Sequence, residues 1–269
     1  MNAESITSLQ NPLVKCWRAL NRSRAERVAH GLFLAEGEHM VSEAVKERKA
    51  QALLIDSAAR EKYEALTATA EDLPRYYLAS HVMAAICDAK TPQGAAAVCP
   101  YPTGGTPDTL GGLIIALDGV QDPGNVGTIL RTMDAAGFTG LLMDEKTADP
   151  YAPKALRASM GGVFRVPTAR CGDLPAALAG LSAAGYEILA GDLRGGPFYR
   201  RPAVRDKVCI VIGNEGAGIS PAVMEKATMR LRIPIVGGAE SLNAAVAAAI
   251  MMYDLLRERM EQSPPPAAK

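Results

Sequence analysis

The sequence predicts an α/β protein in two parts, a larger C-terminal part built on a parallel sheet and a small α/β part ahead of it. Three observations carry this. Strand-length apolar runs alternate with helical segments along most of the chain, the rhythm of a parallel sheet covered on both faces. Residues 100–112, PYPTGGTPDTLGG, hold three prolines, four glycines and three threonines, so they read as a linker. A length of 269 residues suits two modest domains, each with its own core.

The elements follow in order. In residues 1–99, Lys15, Arg18 and Arg22 recur at i, i+3 and i+7, with Leu13, Trp17 and Leu20 as the opposing apolar stripe, which predicts an amphipathic helix. Residues 52–55, 76–79 and 94–99 read as strands and 80–89 as a helix. Beyond the linker, 113–118, 140–144, 162–167, 186–192, 208–213 and 229–236 are apolar runs of strand length. Helical segments lie between most of them at 125–136, 173–184 and 220–227, and an Ala/Met-rich helix spans 242–260. The second domain is therefore 113–260, and the tail 261–269, EQSPPPAAK, is expected to be disordered.

Composition excludes several classes. Apolar content of 48% and charged content of 22% match a soluble globular chain. No run approaches the ~18 apolar residues of a membrane span, and MNAESITSLQNPLVK lacks the apolar centre of an export signal. Five dispersed cysteines and three dispersed histidines predict no metal site and a reducing, cytoplasmic setting. With 29 basic and 29 acidic side chains, any nucleic-acid contact must come from local patches. One such patch is Lys15, Arg18, Arg22, Arg24 and Arg27, set against the single acid Glu26. It reads either as a solvated helix face or as a face for phosphates.

Ligands gather beyond the carboxyl ends of strands in open α/β sheets, and three such stretches carry chemistry. The first, DGVQDPGNVGTILRT (118–132), places Asn125 at the start of a helix and Asn125, Thr128 and Arg131/Thr132 along one face. Asn125 reads as a helix cap or, with Arg131 as a forked donor, as part of a phosphate or ribose site. The second, IGNEGAG (212–218), has GxxGxG spacing, which fits neither a dinucleotide fingerprint nor a Walker loop. The third, IPIVGGAESLN (233–243), runs into the last helix, where Ser241 is either a cap or a ligand contact.

Taken together and in this order, DPGNVGTILRT, IGNEGAGIS and IPIVGGAESLN resemble the three motifs of the SpoU (TrmH-type) branch of the SPOUT RNA methyltransferases, from about Leu113 to Arg257. ITSLQNPLVK, FLAEGEHMVSEA and KTPQGAAAV resemble that family's substrate-binding domain. The resemblance implies a trefoil-knotted, parallel-sheet SPOUT methyltransferase domain preceded by a small α/β RNA-binding domain. It implies S-adenosylmethionine as cofactor, a ribose 2′-hydroxyl as acceptor, no metal, and a homodimer formed through the C-terminal domain. The implied catalytic residues are Asn125, Arg131, Glu215, Ser241 and Asn243. The implied cofactor loops contribute Leu189, Gly191, Ile212, Gly213, Gly216, Ile233, Ser241 and Leu242. Arg131 is expected to hold the phosphate beside the hydroxyl, because a guanidinium does not lose its proton in a protein.

The pattern departs from the family after SLN, where Asn243-Ala-Ala-Val stands in place of a Val-Ser pair between Asn and Val. Beyond the strand at 186–192, Arg194, Arg200, Arg201, Arg205 and Lys207 form a second candidate RNA surface, with Lys154 and Arg157 as further candidates. The RNA-binding set is thus Lys15, Arg18, Arg22, Arg24, Arg27, Arg157, Arg200 and Arg201. Ribosomal RNA is the expected substrate over transfer RNA. Two other readings stay open: an RNA-binding protein without catalysis, and a related enzyme that methylates a base nitrogen.

Overall fold

The computed structural model describes residues 3–103 and 105–262; residues 263–269 of the expected tail lie outside them. In chain order the elements are β1 (Ala3–Ile6), α1 (Pro12–Leu20), α2 (Arg24–His30), β2 (Leu32–Glu36), α3 (Glu38–Lys46), β3 (Ala52–Asp56), α4 (Glu64–Ala68), β4 (Arg75–Leu78), α5 (Ser80–Ile86) and β5 (Ala95–Pro100). Then come β6 (Leu113–Asp118), α6 (Pro123–Ala136), β7 (Gly140–Met143), α7 (Pro153–Ser159), α8 (Gly162–Arg165) and β8 (Thr168–Arg170). The last are α9 (Leu174–Ala183), β9 (Glu187–Pro197), β10 (Val208–Gly213), α10 (Pro221–Met224), β11 (Met229–Arg232) and α11 (Ala244–Gln262). Two compact units result: residues 1–103 with 149–165, and residues 104–148 with 166–269.

The first unit is built on a five-stranded sheet in the order β1-β4-β3-β5-β2. β1, β4 and β3 run parallel, and β5 is antiparallel to both β3 and β2. On α1 the buried stripe is Val14, Trp17 and Leu20, whereas Leu13 is exposed. Asn11 and Pro12 set that register: the Asn11 side chain accepts from Leu13 N–H at 2.8 Å and caps the helix. The expected strand over 162–167 is a helix instead. Met160 and Gly161 take positive φ (48° and 89°), ending α7 just before α8 begins. Val163 and Phe164 are then buried on one side, with Phe164 6.1 Å from the Phe33 ring. An apolar pair flanked by Gly and Arg fits one helical turn as well as a strand, and here packing chose the helix.

Residues 149–165 are tied into this unit by charge. Arg27 donates to Asp149 at 2.7 Å, with 4% and 5% of the two side chains exposed. Arg157 bridges Glu36 (2.7 Å) and Asp88 (2.8 Å), and Arg165 pairs with Glu43.

The second unit holds a parallel six-stranded sheet in the order β11-β9-β10-β6-β7-β8. Ile114, Ile115, Ala116 and Leu117 of β6 and Cys209, Ile210 and Val211 of β10 are fully buried, as expected for central strands covered on both faces. The stretch read as a linker does pack in part. Pro107–Thr109 make a 3₁₀ turn, and Leu110 enters the core beside Ile114 and Leu178. β11 stops at Arg232 rather than 236, because Pro234 cannot donate to the ladder. Among the described residues no helix is long and apolar enough to cross a membrane.

Candidate active site

The second unit carries the site. β6 and β10 pair in register to their last residues, Asp118 opposite Gly213, so the loops after them leave the same edge side by side. Asp122, not Asn125, caps α6: its Oδ1 accepts from Gly124 N–H at 2.8 Å, with Pro123 as the first helical residue. Asn125 therefore lies inside the helix, 8% exposed, with its amide unused by the cap. Asn243 caps α11 instead of Ser241, since its Oδ1 accepts from Ala245 N–H (2.9 Å) and Val246 N–H (3.2 Å).

These shifts bring three predicted residues into one chain of hydrogen bonds. Asn243 Nδ2 donates to Asn125 Oδ1 at 3.0 Å, and Asn125 Nδ2 donates to Glu215 Oε1 at 2.8 Å. Glu215 also accepts from the backbone N–H groups of Gln121 (3.3 Å) and Asp122 (3.4 Å). A carboxylate only accepts, so Glu215 dictates which way the Asn125 amide faces. Partial burial alone raises the Glu215 carboxyl pKa, but the bonds from Asn125 and from backbone N–H groups outweigh it and hold the carboxyl below its ordinary value. Glu215 is thus a fixed anion suited to orienting its neighbours and a weak base.

Beside this chain lies a cavity of about 460 Å³, within the ~300–1,000 Å³ range of small-molecule sites. Of the eight residues implied for the cofactor, Gly191, Ile212, Gly213, Gly216, Ile233, Ser241 and Leu242 line it. Leu189 does not: it is fully buried in β9, opposite Ile210 of β10 and Met229 of β11.

Two backbone devices shape the cavity. Between Arg230 and Leu231 the β9–β11 register jumps from Ala190 to Gly196, so 191–195 bulge out of the ladder, and Gly191 to Arg194 become cavity wall. At Gly213, a Cβ would come 2.3 Å from the backbone of Gly218 and Ile219, so only glycine lets the 213–218 loop fold back this closely. A side chain at Gly191 would start 3.8 Å from Met251 Sδ and project into the space. A concave, glycine-edged wall with few polar groups fits an adenosine-bearing cofactor held largely by backbone.

Arg131 stands on the exposed face of α6 with no hydrogen bond or ion pair among the described residues, and it does not line the cavity. The polar stripe expected on α6 is divided. Asn125 turns inward, while Thr128 and Thr132 bond back to the Gly124 and Thr128 carbonyls (2.8 and 2.9 Å). The sequence reading missed Met224, Ala247 and Met251 in the cavity wall. Ala247 and Met251 are one helical turn apart, a spacing also expected of plain core.

Two of the candidate RNA contacts, Arg27 and Arg201, have side chains too buried to reach RNA, and a third, Arg157, is ion-paired but part-exposed. Arg27 is buried against Asp149. The Arg201 side chain, 4% exposed, pairs with Asp254 (2.9 Å) and Glu258 (2.7 Å) of α11. Arg157 pairs with Glu36 and Asp88 while 43% of its side chain stays exposed. A lone basic run does not reveal which arginines meet an acid distant in sequence. Lys15, Arg22 and Arg200 are exposed, and Arg18 and Arg24 are half-buried.

Comparison with known proteins agrees with this geometry. The family model described as the SpoU rRNA methylase family matches residues 112–253, and the MRM3-like substrate binding domain matches residues 11–97. A 23S rRNA (guanosine(2553)-2′-O)-methyltransferase of Bacillus subtilis (strain 168), RlmP, is 36% identical over 252 residues, covering 94% of this chain and 99% of the relative. The solved structure of the SpoU methyltransferase AviRb from Streptomyces viridochromogenes, in complex with AdoMet, superposes with a TM-score of 0.85 at 29% identity, over 93% of this chain and 99% of that one. An AdoMet-bound rRNA methyltransferase from Sinorhizobium meliloti gives a TM-score of 0.83 at 32% identity, over 95% and 98%. The parallel sheet, the three loops meeting at one edge and these likenesses point the same way: the chain belongs to the SpoU methylase family.

Proposed function

We propose that this protein transfers a methyl group from S-adenosylmethionine to a ribose 2′-hydroxyl of ribosomal RNA, acting in the cytoplasm. The observation that carries this reading is the Glu215–Asn125–Asn243 chain beside a glycine-edged cavity. RlmP, similar over nearly its full length, supports ribosomal RNA as the substrate, and the match to a substrate-binding domain supports a role for the first unit in gripping it. The trefoil threading and a dimer that completes each site across α11 belong to the same proposal.

Bound S-adenosylmethionine supplies an already activated sulfonium methyl, so the protein has mainly to align donor and acceptor. Gly191, Gly213, Gly216, Ile233 and Leu242 hold the cofactor through backbone and apolar contacts. Glu215 fixes the Asn125 amide, which with Asn243 and Ser241 orients the ribose hydroxyl. Arg131, exposed and without an ion-pair partner among the described residues, binds the neighbouring phosphate and favours loss of the hydroxyl proton electrostatically. Glu215 does not take that proton, since its carboxyl is held in the ionised form by donors on both oxygens.

The test is methyl transfer from labelled cofactor to purified ribosomal and transfer RNA, followed by nuclease digestion and mass analysis of the nucleosides. A 2′-O-methylated nucleoside from ribosomal RNA is expected. Base-methylated product, or label only in transfer RNA, overturns the reading. An Ala247→Phe variant, which fills the cavity, should lose cofactor binding; undiminished binding moves the cofactor elsewhere.

A further inference from the structure

We propose that Asn214 is a positioning residue that couples the cofactor loop to the catalytic loop, so that binding the methyl donor and orienting the acceptor share one framework. The inference rests on the cavity being the cofactor site.

Asn214 sits just past β10 and uses both ends of its amide across two loops. Its Oδ1 accepts from the N–H groups of Gly216 and Ala217, both at 2.9 Å, two residues that line the cavity. Its Nδ2 donates at 2.8 Å to the carbonyl of Gly119, in the loop after β6. The backbone of Asn214 also exchanges two hydrogen bonds with Gly218 (3.0 and 2.9 Å), closing 214–218 into a tight turn. The next residue, Glu215, binds Gln121, Asp122 and Asn125 in that same neighbouring loop and helix. Two consecutive side chains thus stitch the loops together. One shapes the cavity wall and the other aims the Asn125 amide.

Two features make Asn the required residue at this position. The acceptor oxygen must face N–H groups of its own turn, while a donor must face a carbonyl on the other loop, and only a carboxamide has both at this reach. The surrounding backbone is already fixed independently: Ser220 N–H donates to Asp118 Oδ2 at 2.6 Å, and Gly213 packs directly on Gly218. Removing the Asn214 amide therefore loosens the turn and its tie without unfolding the sheet edge.

Two variants separate the two ends. Asn214→Ala removes both. We expect cofactor affinity, measured by calorimetry on the full chain with S-adenosylmethionine, to fall about tenfold, as for the loss of hydrogen bonds that order a loop. Affinity for ribosomal RNA without cofactor should stay within about twofold, because no RNA-facing group has changed. Asn214→Asp keeps the acceptor for Gly216 and Ala217 but loses the donor to Gly119. It should bind cofactor within about threefold of the parent, yet its single-turnover rate at saturating cofactor should drop about tenfold.

This split between binding and rate is what a merely structural residue would not produce. The proposal is overturned if Asn214→Ala binds cofactor like the parent, or if both variants lose affinity and rate in equal proportion. A parent protein that binds no S-adenosylmethionine sinks the underlying cavity assignment instead. A parent that binds normally beside silent Asn214 variants sinks only the coupling.

Discussion

Replacing Glu215 by Gln removes a charge while keeping the shape, and the structure says how much should be lost. Glu215 Oε1 accepts from Asn125 Nδ2 at 2.8 Å and from Asp122 N–H at 3.4 Å, while Oε2 accepts from Gln121 N–H at 3.3 Å. A Gln can keep its carbonyl toward Asn125 and Asp122, but its amide nitrogen then meets the Gln121 N–H, donor against donor. One long bond and the charge assistance of the others disappear. Solvent around this exposed carboxylate discounts the usual worth of such bonds, leaving about 1–2 kcal/mol, or roughly 5–30-fold in rate. Glu215→Ala leaves the Asn125 Nδ2 without its acceptor, so that Asn243 alone holds the amide, and should cost about 2–4 kcal/mol, roughly 30–1,000-fold. Single-turnover methyl transfer at saturating cofactor measures both. The parent's pH profile carries a matching signature. The folded-state pKa lies below the ordinary 4.5, so the ionised form is complete above that range. Its contribution is lost only as pH falls through the lowered value, and Glu215 should add no limb near neutrality. Equal rates for the Gln and Ala variants, or a Glu215-dependent limb near neutral pH, would refute an orienting role and favour a base.

Four further outcomes follow from the same geometry. Arg27→Met strands the buried Asp149 carboxylate, which keeps the Tyr101 hydroxyl (3.3 Å) and Tyr151 N–H (3.0 Å) as neutral donors in place of a cation. Denaturant unfolding should show about 3–5 kcal/mol lost, with the salt dependence of RNA binding unaltered. Arg201→Met takes from Asp254 and Glu258, one turn apart on α11, the cation they share, and should lower stability by about 3 kcal/mol; a weakened RNA affinity at unchanged stability would restore Arg201 as an RNA contact. Changing Lys15, Arg18 and Arg22 together to Ala should lower the slope of log affinity against log salt by about 2–3, near 0.7–0.9 per phosphate contact, and an unaltered slope would make that helix face merely solvated. Gly195→Ala sets a Cβ about 2.6 Å from the Arg230 and Leu231 backbone, forcing the bulge to shift. Calorimetry should report at least tenfold weaker cofactor binding, and retained affinity would mean the bulge does not shape the pocket.

The strands of the parallel sheet were legible because a strand buried on both faces must be apolar throughout, as 113–118 and 208–213 are. β2 was not, since Leu32–Glu36 is short and pairs only with β5 at the sheet edge. The strand expected at 162–167 failed because Phe164 answers to Phe33, a partner about 130 positions away that no local period reveals. Among site residues, Gly213, Glu215 and Asn243 were singled out by the resemblance of the three motifs taken together, since each loop read alone left a plain structural role open. Local rules misassigned the caps, however. Asn125 is a better cap by rank than its competitors only if Asp122 is overlooked, and Pro123 decides for Asp122. The basic residues were the least legible, because charge alone does not tell an RNA contact from an arginine committed to Asp149 or Glu258.

The geometry also explains why three motifs so far apart in sequence must act together. β6 and β10 end level with one another, so the loop from one strand can supply N–H donors to a carboxylate on the loop from the other. β9 runs on past that edge as a bulge and returns to pair with β11, which walls the cavity on the side that β10 leaves open. α11 then begins at the same edge, where its cap residue Asn243 reaches Asn125. Each loop therefore lacks something that a neighbour provides: an acceptor for the Asn125 amide, donors for the Glu215 carboxylate, a wall facing the glycine turn. None of the three motifs would hold a ligand alone, which is why the order and spacing of all three, rather than any single residue, carried the functional assignment.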